Sequence, residues 1–150
     1  MTTRFDSPAA LLDKAGAHLG TTDWRSITQQ QVDSFADATD DHQWIHVDAE
    51  RAKAGPFGTT IAHGYLTLAL APVLLGEAFE VAGAGMVVNY GTNKVRFPAP
   101  VPVGSRVRGD VRLVGAQAKH GGIEATFALT IELEGADRPA CVAEVVTLFR

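Results

Sequence analysis

Residues 123–134 alternate without a break. Ile123, Ala125, Phe127, Leu129, Ile131 and Leu133 hold one set of positions, and Glu124, Thr126, Ala128, Thr130, Glu132 and Glu134 hold the other. A period of two sends the first set to one face and the second to the opposite face, so the stretch predicts a half-buried β-strand. Residues 105–114 repeat the pattern. Val107, Gly109, Val111 and Leu113 share one face, while Arg106, Arg108, Asp110 and Arg112 share a face expected to be solvated. Residues 86–97 alternate loosely and stop at Pro98-Ala99-Pro100. Residues 140–149 read as a final, mostly apolar strand. Gly121-Gly122 and Gly135-Ala136-Asp137 supply the turns.

The first half, to about residue 82, reads as helical. Thr28 and Gln31 have the spacing of a capping box. Val32, Phe35, Ala36 and Thr39 then recur at helical intervals, and the helix is expected to stop at 39 or 40. Residues 41–46 are expected as an ordered loop. Asp48 is a suitable N-cap for a short helical turn over Ala49, Ala52 and Ala54, and Gly55-Pro56-Phe57-Gly58 reads as loop. A longer helix is expected from about 63 to 79. It is apolar on nearly all sides, which predicts burial, and Pro72 inside it predicts a kink or a break. The sum is an α+β single domain over residues 1–150, an antiparallel sheet wrapped on one central helix.

Composition narrows the function. A net charge of -4 with no basic run argues against nucleic acid or an anionic membrane as the main partner. The lone Cys141 excludes an internal disulfide and a multi-cysteine metal site, and a cytoplasmic setting is the default. Residues 1–10 lack an apolar core, so no secretory signal is expected. The apolar stretch 66–75 is too short to span a bilayer.

The chemistry concentrates in two places. Asp41 and His46 stand five residues apart, just after the first helix, in Asp41-His42-Gln43-Trp44-Ile45-His46. A carboxylate and an imidazole within reach of one centre make a general acid/base pair. Ala62-His63-Gly64-Tyr65 follows and opens the long helix. The plainer alternatives are a packed core histidine at 46, a turn-forming Asp41, and a helix-start or core role for His63. Lys94 and Arg96 suit either phosphate contact or a solvated strand, and Asn89 and Asn93 suit either a pocket wall or a bulge.

Asp41 to His46 resembles the D-x-N-P-[LI]-H signature of the MaoC-like, R-specific enoyl-CoA hydratases, here written D-H-Q-W-I-H. Gly58-Thr59-Thr60-Ile61-Ala62-His63-Gly64, Asn89-Tyr90-Gly91 and Val95-Arg96-Phe97-Pro98-Ala99-Pro100-Val101 follow in the family order. The resemblance spans roughly residues 27–150 and implies a hotdog fold. It implies a hydro-lyase of fatty-acid metabolism that adds water reversibly and syn to a trans-2-enoyl-CoA, giving the (R)-3-hydroxyacyl-CoA. Asp41 and His46 would hold the water, and the backbone N–H of Gly64 would meet the developing oxyanion. His63, Tyr65, Trp44, Leu66, Asn89 and Arg96 are the candidate substrate contacts. No metal or redox cofactor is implied, the partner is an acyl-CoA or acyl-carrier-protein thioester, and a homodimer is expected. The chain departs from the motif at Asp40, often Gly, and at Gln43-Trp44, usually Asn-Pro. The alternatives are a hotdog thioesterase and a non-catalytic, NodN-like acyl-thioester binding module.

Overall fold

The computed structural model describes residues 2–150. Its elements are β1 (Thr3–Phe5), a 3-10 turn (Pro8–Leu11), β2 (His18–Thr21), β3 (Arg25–Ser26), α1 (Gln29–Thr39), α2 (Trp44–Val47), α3 (Ala49–Lys53), α4 (Gly64–Ala69), α5 (Ala71–Ala78), β4 (Phe79–Val81), β5 (Val87–Arg96), β6 (Arg106–Lys119), β7 (Gly122–Leu133) and β8 (Cys141–Phe149). Six strands form the main sheet in the order β2-β6-β7-β8-β5, with β3 also on β6. All its pairings are antiparallel. β1 and β4 form a separate parallel pair.

The alternation in β6 and β7 decides which face is inside. Val107, Val111, Leu113, Ala125, Phe127, Leu129 and Ile131 are all buried, and α4 and α5 pack on that face. Two glycines set how close the helix comes. A Cβ on Gly109 would lie 3.0 Å from Leu74 Cβ, and one on Gly20 would lie 2.4 Å from the backbone oxygen of Ala78. Only a missing side chain lets α5 sit that low on β2 and β6.

The central helix is broken in two. Pro72 cannot donate to Leu68, and its ring crowds the preceding turn, so the ladder is reset at Leu70. There the Leu70 N–H bonds to the oxygen of Thr67, and Leu74 N–H restarts the pattern on Leu70. The expectation of burial on all sides fails. Leu66, Leu70, Leu74 and Leu75 are buried, but Tyr65 is 73% exposed and Val73 lies open.

Three further expectations are corrected. The N-terminal 27 residues are not simply helical: β1, β2 and β3 form there, and Leu11, Leu19 and Ile27 plug the core. His46 lies on the single turn α2 rather than in a loop. The arginines of β6 are not merely solvated: Arg106 and Arg108 pair across the sheet with Glu134 and Glu132, and Arg108 also lies 4.4 Å from the Trp24 ring centre. No helix among the described residues is long and apolar enough to cross a membrane.

Candidate active site

α1 starts and ends as its sequence predicts. Thr28 Oγ1 accepts from the Gln31 N–H at 3.1 Å, and Asp40 closes the helix in the left-handed conformation at φ 61°. That conformation is the reason glycine is common there in the resembled motif, and aspartate is among the few other residues that tolerate it. Asp41 follows directly, with its side chain half exposed.

α2 then carries His46 inward. The imidazole is 6% exposed, and its Nδ1 lies 2.8 Å from the Ile61 carbonyl oxygen. A carbonyl only accepts, so Nδ1 carries the proton and a neutral ring leaves Nε2 as an acceptor. The backbone is tied as well. Gln29 donates to the His46 oxygen at 2.8 Å and to Asp33 at 2.9 Å, and accepts from Thr60 at 2.6 Å. One side chain at the start of α1 thus joins α2 to the segment before α4. Asp48 caps α3 through the Arg51 N–H at 3.0 Å.

His63 is 2% exposed. Its ring stacks on His46 at 3.8 Å with an interplanar angle of 22°, and its Nε2 lies 2.9 Å from the Asp41 carbonyl oxygen. An Asp41 carboxylate oxygen and one ring nitrogen from each histidine lie within 4.8 Å of one another. Water at about 2.8 Å from each partner fits that gap. A metal fits it poorly. An ion held at about 2.0–2.1 Å in the plane of each ring needs rings splayed around it, whereas these two are nearly parallel and His46 Nδ1 is committed.

Gly64 opens α4, so its N–H has no intrahelical acceptor. A Cβ there would meet the Phe97 ring at 3.3 Å. Glycine therefore makes room for Phe97, which also meets Tyr65 edge-on at 6.3 Å. Arg96 is exposed at the end of β5, donates to the Val95 oxygen at 2.7 Å, and forms no ion pair among the described residues.

The other candidates lie apart. Trp44 packs on Gly55, where a Cβ would come within 2.9 Å of Cζ3, and the Arg51 guanidinium covers the ring at 4.3 Å. Leu66 is buried in the core rather than facing a cleft. Asn89 lies between two apolar clefts of about 420 and 400 Å³ that share Pro72 and run between α5 and β5. Neither cleft is lined by Asp41, His46 or His63. The Asp41, His46 and His63 cluster stands out by its geometry, not by the depth of a single-chain cavity. Sequence reasoning missed Gln29, Thr60 and the Ile61 carbonyl. A polar residue inside the first turn of α1 was the one available signal, for Gln29.

Residues 11–134 match the MaoC-like domain, and the chain belongs to the MaoC-like dehydratase family of hydro-lyases. The chain is 57% identical over 146 residues to the 3-hydroxyacyl-thioester dehydratase Z of Mycobacterium tuberculosis, covering 97% of each. It is 41% identical over 147 residues to nodulation protein N of Rhizobium leguminosarum, covering 96% of this chain and 91% of that one. Among solved structures, the (R)-hydratase from A. caviae involved in PHA biosynthesis aligns with a TM-score of 0.74 at 25% identity, covering 91% of this chain and 97% of that one. An R-hydratase from Pseudomonas aeruginosa aligns with a TM-score of 0.77 at 22% identity over 95% and 84%. The fold is the hotdog fold.

Proposed function

We propose that this chain catalyses the reversible syn addition of water to a trans-2-enoyl thioester, forming the (R)-3-hydroxyacyl thioester, with coenzyme A as the acyl carrier. One observation carries the reading. The Nδ1–H bond to Ile61 leaves His46 Nε2 free to accept, and a ring nitrogen of His46 lies within 4.8 Å of an Asp41 carboxylate oxygen. The name of the mycobacterial relative supports the substrate class.

Asp41 and His46 hold one water. His46 Nε2 takes a proton from it as its oxygen bonds to C3. The π electrons of C2=C3 move toward the thioester carbonyl, and the Gly64 N–H donates to the oxygen where charge builds. The proton that His46 took passes through the Asp41 carboxylate to C2 on the same face, which leaves His46 neutral and Asp41 ionised as at the start. The step needs no redox cofactor and no metal. Tyr65, next to Gly64 at the start of α4, would meet the thioester end, and the exposed Arg96 would meet a phosphate of the carrier. Asn89 and the apolar clefts suit the acyl chain.

The catalytic unit is a homodimer in this reading, working in the cytoplasm. Among the described residues β5 pairs with β8 alone, and its other edge is open. Val87, Val88 and Tyr90 are exposed along it, an edge that proteins normally cover.

The alternatives to weigh against hydration are a thioesterase and a non-catalytic acyl-thioester binding module. The test is incubation of the purified chain with crotonyl-CoA, a longer trans-2-enoyl-CoA and a saturated acyl-CoA. Hydration of the enoyl thioesters without thiol release is the expected result. Thiol release from the saturated thioester would point to a hydrolase, and binding without turnover to a carrier module.

A further inference from the structure

We infer that His63 is a positioning residue that fixes the spacing between Asp41 and His46, and that it does not meet substrate. The inference rests on the hydration reading for its effect on turnover, but not for its effect on structure.

The ring touches both members of the pair in different ways. Its face stacks on the base at 3.8 Å, and Phe35 supports the ring at 4.9 Å. Its Nε2 donates to the main-chain oxygen of the acid at 2.9 Å, and stands 4.0 Å from the Asp41 carboxylate. Little else holds Asp41. Its backbone follows the left-handed Asp40, has no other main-chain hydrogen bond among the described residues, and its carboxylate accepts only a long 3.4 Å contact from the Gln43 N–H.

The remaining nitrogen makes the point sharper. Nδ1 of His63 is buried with no hydrogen-bond partner. A buried polar atom left unpaired is a penalty. A phenyl ring would fill the same space between Phe35 and His46 without it. The imidazole is therefore explained by what its other nitrogen does, which is to tie Asp41 down. At 2% exposure the ring is almost wholly enclosed by protein.

Two variants separate the roles. His63→Phe keeps a ring in the stack and removes the donor. His63→Gln keeps an N–H donor at a similar reach and removes the stack. Each is followed by thermal melting, by ¹⁵N relaxation of the 41–43 amides, and by kcat and KM with crotonyl-CoA. The expected result for His63→Phe is a folded protein whose 41–43 amides gain fast motion. Its kcat falls roughly 10- to 100-fold, the scale of a small misplacement of catalytic groups, with KM within about threefold. His63→Gln is expected to restore rigidity and most of kcat. Rigid 41–43 amides and unchanged kcat in His63→Phe would overturn the inference. So would a rise in KM with kcat retained, which marks a substrate contact. If His63→Phe does not fold, a folded His63→Gln with mobile amides overturns it and one with rigid amides supports it. If the unsubstituted protein turns over no thioester, the hydration reading fails, and the amide motion alone decides the role of His63.

Discussion

His46→Asn separates the two jobs that one ring performs. Asparagine places an amide nitrogen near the position of Nδ1, so the buried Ile61 oxygen keeps its donor at a distance now 2.8 Å. Nothing remains at the position of Nε2. The stack on His63 is lost, which is expected to cost about 1 kcal/mol. In a chain of 150 residues that lowers the melting temperature by roughly 2–4 °C. Turnover is another matter. A positioned general base contributes about 10²- to 10⁴-fold, which is roughly 3–5 kcal/mol of barrier. The expected variant is therefore well folded, slightly less stable, and slower by at least two orders of magnitude, with KM little changed. Thermal melts and initial rates on crotonyl-CoA measure both quantities on one preparation. Turnover within tenfold of the parent would refute His46 as the base. An unfolded variant would refute the claim that Ile61 needs only a donor at Nδ1.

Gly64→Ala would bring a Cβ to 3.3 Å from the Phe97 ring and is expected to push the ring aside and shift the α4 N–H. A fall in kcat of about tenfold, relieved by adding Phe97→Leu, is the outcome to look for in steady-state kinetics. Gly55→Ala collides with Trp44 and is expected to cost about 1–3 kcal/mol. The cost should shrink in a Trp44→Pro background, where proline at the first position of α2 is well tolerated, and a double-mutant cycle of urea midpoints reads the coupling. Asp110 sets an acid limit. Burial pushes its carboxyl up, but hydrogen bonds from His18 and Thr21, with the nearby charges of His18 and Arg112, outweigh that and hold it below the usual range. A lowered carboxyl stabilises the fold above its unfolded pKa of about 3.9, and that stability is lost as pH falls through the folded value. Asp110→Asn should therefore lower the urea midpoint at pH 7 and flatten its decline toward pH 3; equal slopes for the two proteins would contradict this.

The strands of the second half were legible because their pattern reports burial directly. In β7, Phe127 and Leu129 go inside while Glu132 and Thr130 stay at the opposite face, and no distant residue needs to be known. β1 and β2 were not legible. They are three and four residues long, and they exist because β4 and β6 offer edges to pair with. The site divides in the same way. Asp41 and His46 sit in a recognisable local motif. The bond that fixes the His46 ring goes to Ile61, fifteen residues away, and nothing in the spacing announces it. The place of His63 at a helix start beside Gly64 left both a substrate contact and a core role open. Its burial follows from how α1 and α2 close over it, a tertiary fact. Trp44 and Gly55 form a compensated pair that is visible only once both are placed.

The most direct test of the central claim is the stereochemistry of water addition. Crotonyl-CoA is hydrated by the purified protein in deuterium oxide, and the 3-hydroxybutyryl product is resolved by chiral chromatography and NMR. The expected product has the R configuration at C3, with one deuterium at C2 on the same face as the new hydroxyl, because one water and one acid/base pair serve a single face. An S product, an anti relationship, or no product from a folded protein would contradict the claim.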